Sequence, residues 1–362
     1  MGGGSVSSIE NTMRQAVMVQ PKTIVLERVA VPKVSGTKVL VETAYIGICG
    51  SDIHVYHGKH PYTSYPVVQG HEVSGKVVAI GDDVKHIKIG DHVTVEPQVS
   101  CGLCYPCTHG LYNICNNLKV MGFQTQGTAS DYALIDEKHL VLLPKDIDLR
   151  FGAMIEPLAV AVRATAKAGD LKGKQVLVFG AGPIGNFVAQ VAKAVGSSKV
   201  IICDTNELRL AKAIKSGIDV ALNPKEIVLD EAIDTFFGPE RRADVIFDCA
   251  GTSAAITDEI NVARKGSTIV LVAVYGTCPP IDLARLGECE LNLVGTARYN
   301  VDDFKKAIDL VANKAIKMDV LITDIFELPA YQQAYEKIEQ SPEKTMKVLI
   351  RVQSENKRSE LK

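Results

Sequence analysis

Gln175-Val176-Leu177-Val178-Phe179-Gly180-Ala181-Gly182-Pro183-Ile184-Gly185 decides the architecture of the middle of this chain. Five residues without a charge, three of them Val or Leu, suit a strand buried on both faces of a parallel sheet. A G-x-G-x-x-G turn follows at once, and a helical pattern runs on through 186–195. Each glycine has a task there: the tight turn, close backbone approach, and close packing of helix on strand. A helix that starts at such a turn presents unpaired N–H groups and the positive end of its dipole to a phosphate.

Working outward, 199–203 reads as the next buried strand, so strand, helix and strand form a βαβ unit. Asp204 ends that strand, nineteen positions after Gly185. An acid there accepts hydrogen bonds from ribose hydroxyls and repels a 2′-phosphate, which favours NAD over NADP. Arg209 lies nearby and softens that preference. The expected nucleotide residues are thus Gly180, Gly182, Pro183, Ile184, Gly185, Asp204 and Arg209. The apolar runs 244–248 and 268–273 continue the alternation, which predicts a doubly wound α/β sheet.

The texture is different on either side. From about Arg14 to Leu143, β-branched runs such as Val39-Leu40-Val41 and Val77-Val78-Ala79-Ile80 alternate with glycine turns, which predicts a β-rich unit. Residues 151–168, 301–315 and 331–338 read as helical, and 345–352 as a final strand. With 362 residues, two domains are expected.

Cys101, Cys104, Cys107 and Cys115 place four thiols within fifteen residues. That spacing can wrap a tetrahedral zinc with no open position, a structural site; an iron–sulfur cluster is the alternative. Lys+Arg is 40 against Asp+Glu 42, a net charge of −2, which argues against nucleic acid or an anionic membrane as the main partner. The start, Met1-Gly2-Gly3-Gly4-Ser5, lacks a charged n-region and an apolar h-region and reads as a disordered tip. The apolar stretch 267–274 is far too short to span a bilayer. A cytoplasmic protein is expected.

Gly70-His71-Glu72-x-x-Gly75, followed by Gly81 and Val84, resembles the zinc signature of the medium-chain alcohol dehydrogenase family. The four-cysteine stretch and the glycine fingerprint follow in that family's order, and the resemblance runs from about Met13 to Val352. It implies a GroES-like β-rich catalytic domain, 1–160 and 298–362, around a Rossmann domain, 161–297. It also implies two zinc ions per chain and a homotetramer or homodimer. Cys49 and His71 would bind the catalytic zinc with Glu72 and Glu156, directly or through water. Ser51 would accept the substrate proton and His54 pass it on, from a segment expected to be a loop, with Asp52 orienting a ligand. A glutamate at Glu156, with Arg298-Tyr299, resembles the sorbitol and polyol dehydrogenase branch. That branch implies oxidation of a small polyol, with Tyr56, Arg298 and Tyr299 at the substrate; a threonine or butanediol dehydrogenase is the alternative. A non-catalytic zinc and nucleotide-binding relative is the third reading. The branch often has an aromatic after the His of C-G-S-D-x-H; here Val55 stands there, before Tyr56 and His57-Gly58-Lys59-His60.

Overall fold

The computed structural model describes residues 11–353. The glycine-rich start lies outside the described residues. Six strands, Val220–Leu222, Lys199–Cys203, Gln175–Phe179, Val245–Asp248, Thr268–Leu271 and Asn292–Gly295, form one sheet in that spatial order. All its neighbours are parallel. The chain enters at the centre, winds to one edge, then returns and winds to the other. A crevice therefore opens at the carboxyl ends of Gln175–Phe179 and Val245–Asp248, where the strand order reverses. Both strands are almost wholly buried, as their apolar runs require. Val220–Leu222 and Asn292–Gly295 are short, partly exposed edge strands, which an apolar-run reading does not detect.

A second, mixed sheet gathers residues from both ends of the chain. Its order is Ile322–Glu327, Lys347–Arg351, Lys38–Ile48, Glu72–Ile80, His92–Val95 and Leu140–Leu143, with Tyr132–Asp136 also on Lys38–Ile48. Lys347–Arg351 lies antiparallel to Lys38–Ile48, Ile46 facing Ile350. The helix Ile155–Lys167 and the strand Gln175–Phe179 share one core with Val301–Ala312, through Leu158, Val178, Phe187 and Phe304. A second core under the mixed sheet holds Val39, Ile46, Val77, Tyr335 and Ile350. Among the described residues, no helix is long and apolar enough to cross a membrane.

Candidate active site

Strand Lys38–Ile48 delivers Cys49 to the start of a helix, Gly50–Tyr56. This corrects the expectation of a loop. The physical reason is Asp52, whose Oδ2 accepts the Cys49 N–H at 2.9 Å and satisfies a donor that a helix start leaves unpaired. Asp52 is buried, and its Oδ1 accepts from Gln69 Nε2 at 3.1 Å. Tyr335 Oη donates in turn to Gln69 Oε1 at 2.8 Å. Ser51 and His54 stand three residues apart on this helix and so share a face, Ser51 half-buried and His54 exposed.

His71 is buried with its Nδ1 3.4 Å from Asp52 Oδ1, an ion-pair distance without an aligned hydrogen bond. Burial pulls its pKa down, but the Asp52 carboxylate and the Cys49 sulfur override this and hold the imidazole well above its ordinary range. Glu72 begins the neighbouring strand opposite Gly47, where a Cβ would lie 1.9 Å from Glu72 Oε2. The glycine is therefore what admits the carboxylate. Lys347 Nζ, itself buried, donates to Glu72 Oε1 at 2.7 Å, Oε2 at 2.6 Å and the Ile48 carbonyl at 3.2 Å.

The ligand atoms of Cys49, His71 and Glu72 lie within 4.8 Å of one another. A half-buried thiol drawn together with a buried imidazole and a buried carboxylate is the kind of donor set that zinc takes at a catalytic site. Because Lys347 occupies both Glu72 oxygens, ligation by Glu72 would have to share them with the ammonium. Glu156, in the first turn of Ile155–Lys167, is not in that close set. It lies beside it, buried, with Oε1 accepting from Tyr299 Oη. Burial pushes its carboxyl up to about 7, against the attraction of His71 and with the repulsion of Glu72.

Tyr299 is held from the four-cysteine stretch. Gln98 Nε2 donates to the Tyr299 carbonyl at 2.8 Å, and Asn113 Nδ2 to the Ala297 carbonyl at 2.9 Å. Tyr112 Oη accepts the Val301 N–H at 2.6 Å. Arg298, exposed and at φ 53°, donates from Nη1 to the Asn113 carbonyl at 3.2 Å. Cys104–Cys107, Cys104–Cys115 and Cys101–Cys115 stand 3.4, 3.7 and 3.4 Å apart at Sγ. Zinc–sulfur bonds of ~2.3 Å give a tetrahedron with edges of ~3.8 Å, so four thiolates here would close around a zinc ion with little movement. Backbone N–H groups of Cys101, Asn116 and Asn117 already point at the sulfurs of Cys115 and Cys104. Hydrogen bonds led by the backbone N–H groups of Leu103 and Cys104 lower Cys101 to about 6, which favours the thiolate that a metal needs.

At the crevice, Gly180 (φ 91°) turns the chain, Gly182 caps the helix Pro183–Ala194, and Ile184 packs against the core. A Cβ on Gly185 would lie 1.7 Å from the Gly180 carbonyl oxygen, so only glycine lets the helix meet the turn. Asp204 Oδ2 accepts the Ala181 N–H at 2.7 Å and lies 3.8 Å from Arg209 Nη1. Arg209 Nε is buried without a hydrogen-bond partner.

Cys49, His71 and Glu72 thus come together with Glu156 beside them, and the four cysteines gather in a cluster of their own; Arg298 turns towards that cluster, and Tyr56 joins neither group. Tyr56 is buried against Tyr335, and its Oη accepts from Gln332 Nε2 at 3.1 Å, inside the core rather than at an open cleft. Helix formation at 50–56 is the reason: it turns Tyr56 inward beside fully buried Val55. Lys347, Gln69 and Tyr335 escaped the sequence reading. For Lys347 a signal exists, a lone cation opening the apolar run Val348-Leu349-Ile350.

Comparison with known proteins adds a lineage. Residues 35–145 match the model of the alcohol dehydrogenase GroES-like domain, and residues 183–313 that of the zinc-binding dehydrogenase family. The chain is 36% identical to 2-dehydro-3-deoxy-L-galactonate 5-dehydrogenase of Pseudoalteromonas atlantica, over 88% of this chain and 92% of that one. It is 30% identical to sorbitol dehydrogenase of Bacillus subtilis, over 95% and 98%. The crystal structure of the alcohol dehydrogenase rspB from Escherichia coli CFT073, complexed with NADH, superposes with a TM-score of 0.88 at 31% identity, covering 95% of this chain and all of that one.

Proposed function

This chain belongs to the zinc-dependent medium-chain dehydrogenases, and on that premise we propose that it oxidises a secondary hydroxyl of a small polyol, with NAD⁺ as hydride acceptor. The observation that carries the reading is the convergence of half-buried Cys49 with buried His71 and Glu72, and Glu156 beside them. A zinc ion held there by Cys49, His71 and a carboxylate would act as a Lewis acid on the substrate hydroxyl. The chain's own residues supply the rest. Asp52 orients His71 and tethers Cys49 through its backbone N–H. Ser51 takes the substrate proton and His54, on the same helix face, carries it to solvent. The Pro183–Ala194 helix start receives the diphosphate, and Asp204 turns from the Ala181 N–H to the ribose hydroxyls. Arg209, paired with Asp204, is the residue through which NADP would gain a footing.

Glu156 and Tyr299 form the wall of the substrate place, and Arg298 keeps most of its five donors free for substrate oxygens. The polyol reading draws support from the named activities of the relatives. The four cysteines hold a second, structural zinc, residues 1–160 and 298–362 act as the catalytic unit around 161–297, and the protein works as a cytoplasmic homotetramer. Turnover of a polyol, diol, threonine and monoalcohol panel, followed as NADH formation with and without a chelator, tests the reading. Chelator-sensitive oxidation of polyols is the expected result. Activity confined to monoalcohols would overturn the polyol assignment, and preference for threonine or butanediol would move it to that branch.

A further inference from the structure

Behind the glycine turn lies a buried acid pair that the reaction above does not use. Asp248 ends its strand at the crevice and is fully buried. Its Oδ1 accepts the N–H groups of Ala250 and Gly251, each at 2.9 Å, and its Oδ2 accepts from Tyr275 Oη. Its carbonyl accepts from Val272 and Ala273, each at 2.9 Å. One residue thus ties together the 249–251 and 272–275 loops at the rim of the crevice. The first loop touches the fingerprint directly: a Cβ on Gly180 would lie 2.8 Å from the carbonyl carbon and oxygen of Cys249 and 2.9 Å from the Ala250 nitrogen. The second exposes Val274 at 95% beside the crevice.

Glu259, on the helix Ser253–Val262, is fully buried, and neither carboxyl oxygen meets a protein donor. The group within hydrogen-bond reach of it is Asp248. Two carboxylates in a dry interior cannot bond to each other without a proton between them. Asp248 already accepts three hydrogen bonds, so the donor has to be Glu259. The groups facing Glu259 do not offer a counter-charge. They are Asp248 from the strand, Asp258 from its own helix, and, around them, Tyr275, Cys249, Cys203 and Asp204. The nearby cations Arg285 and Arg242 donate to the carbonyls of Ile260, Asn261 and Val262, which follow Glu259 in the last turn of the helix, and not to its carboxyl.

We propose that Glu259 is a protonated positioning residue whose carboxyl proton bridges to Asp248, so that the Glu259–Asp248–Tyr275 chain holds both rim loops in the shape that receives the dinucleotide. The proposal rests on the nucleotide reading of the crevice. Burial first, and then Asp248, pushes the Glu259 carboxyl up to about 9. Above that pH the bridge loses its proton, two carboxylates oppose each other, and the loops they tie relax.

The test is NADH binding by fluorescence titration from about pH 7 to about pH 10, on the full chain. Wild type is expected to lose affinity by roughly fivefold or more across the range. Glu259→Gln, whose amide donates at every pH, keeps the neutral affinity and shows a flat profile. A wild-type profile without that loss, or a Glu259→Gln profile that falls as wild type does, overturns the proposal. A second measurement stands if that variant does not fold: the infrared carbonyl stretch of a protonated carboxylic acid in wild type that outlasts the titration of Glu156 at about 7 and vanishes as the pH rises through about 9. Its absence overturns the proposal. Wild type that shows this band yet binds no nicotinamide nucleotide at any pH refutes the nucleotide reading and leaves the proton bridge standing.

Discussion

Replacing Lys347 with methionine removes one ammonium from beneath the candidate metal site and keeps the volume of its stem. The two side chains of the pair are 3% and 1% exposed. Nζ makes two hydrogen bonds of 2.6 and 2.7 Å to Glu72, so the substitution strands a carboxylate in a dry place. Removing one partner of a buried ion pair costs about 3–5 kcal/mol. Against a folding free energy of about 5–15 kcal/mol that is a large share. At about 2–4 °C per kcal/mol, the melting temperature should fall by roughly 6–20 °C. Lys347→Met/Glu72→Gln removes both charges and should recover most of the loss, because replacing a whole buried pair is close to neutral. Thermal unfolding of wild type, both single variants and the double variant, with zinc content measured on each, gives the coupling energy. The stabilisation also has a pH signature. Burial alone pulls the Lys347 amine down, but Glu72 and then Cys49 hold it above its ordinary value. A raised folded pKa means that the contribution is complete below the ordinary lysine range and is lost as pH climbs past it. A coupling below about 0.5 kcal/mol, or additive losses in the double variant, would refute the reasoning.

Tyr299→Phe removes the hydroxyl that donates to Glu156. A hydrogen bond to a charged group is worth about 1.5–3 kcal/mol, so kcat should drop roughly tenfold to a hundredfold. The acid limb of the rate profile should move to higher pH, since that donation opposes the push of burial on Glu156; an unmoved limb contradicts this role. Cys115→Ser should release one zinc per chain by metal analysis and slow turnover through the loosened 297–301 segment, with full activity after zinc loss counting against the coupling. Gly185→Ala should weaken NADH binding about tenfold or more while the metal content stays that of wild type, because its Cβ would stand 1.7 Å from the Gly180 oxygen. Wild-type affinity in that variant would move the nucleotide elsewhere.

Much of this was legible from local pattern. Phe179-Gly180-Ala181-Gly182 declares a strand, a turn and a helix start because each demand is met within a few residues. The four cysteines declare their cluster for the same reason. What stayed hidden depends on distant chain. Val220–Leu222 and Asn292–Gly295 are strands because a sheet edge was there to receive them, not because their sequences insist on it. The Gly50–Tyr56 helix depends on Asp52 reaching back to Cys49, and its register sent Tyr56 into the core. Lys347 meets Glu72 across a sequence separation of 275, and Tyr335 meets Gln69 across 266. Neither partner can be named from its own neighbourhood.

That the strand Lys347–Arg351 lies against Lys38–Ile48 has a consequence for the order of assembly. The Lys347 amine and the Ile48 carbonyl it bonds are 299 residues apart in the chain. On a ribosome adding about 5–20 residues per second, roughly 15–60 s separate the two. Late in that interval the six parallel strands can complete themselves, since all of them lie between 175 and 295. Glu72 must wait in a sheet with an open flank and no cation beside it. The parallel sheet can therefore form before the candidate metal site is complete, because Glu72 receives its cation only when Lys347 has been made.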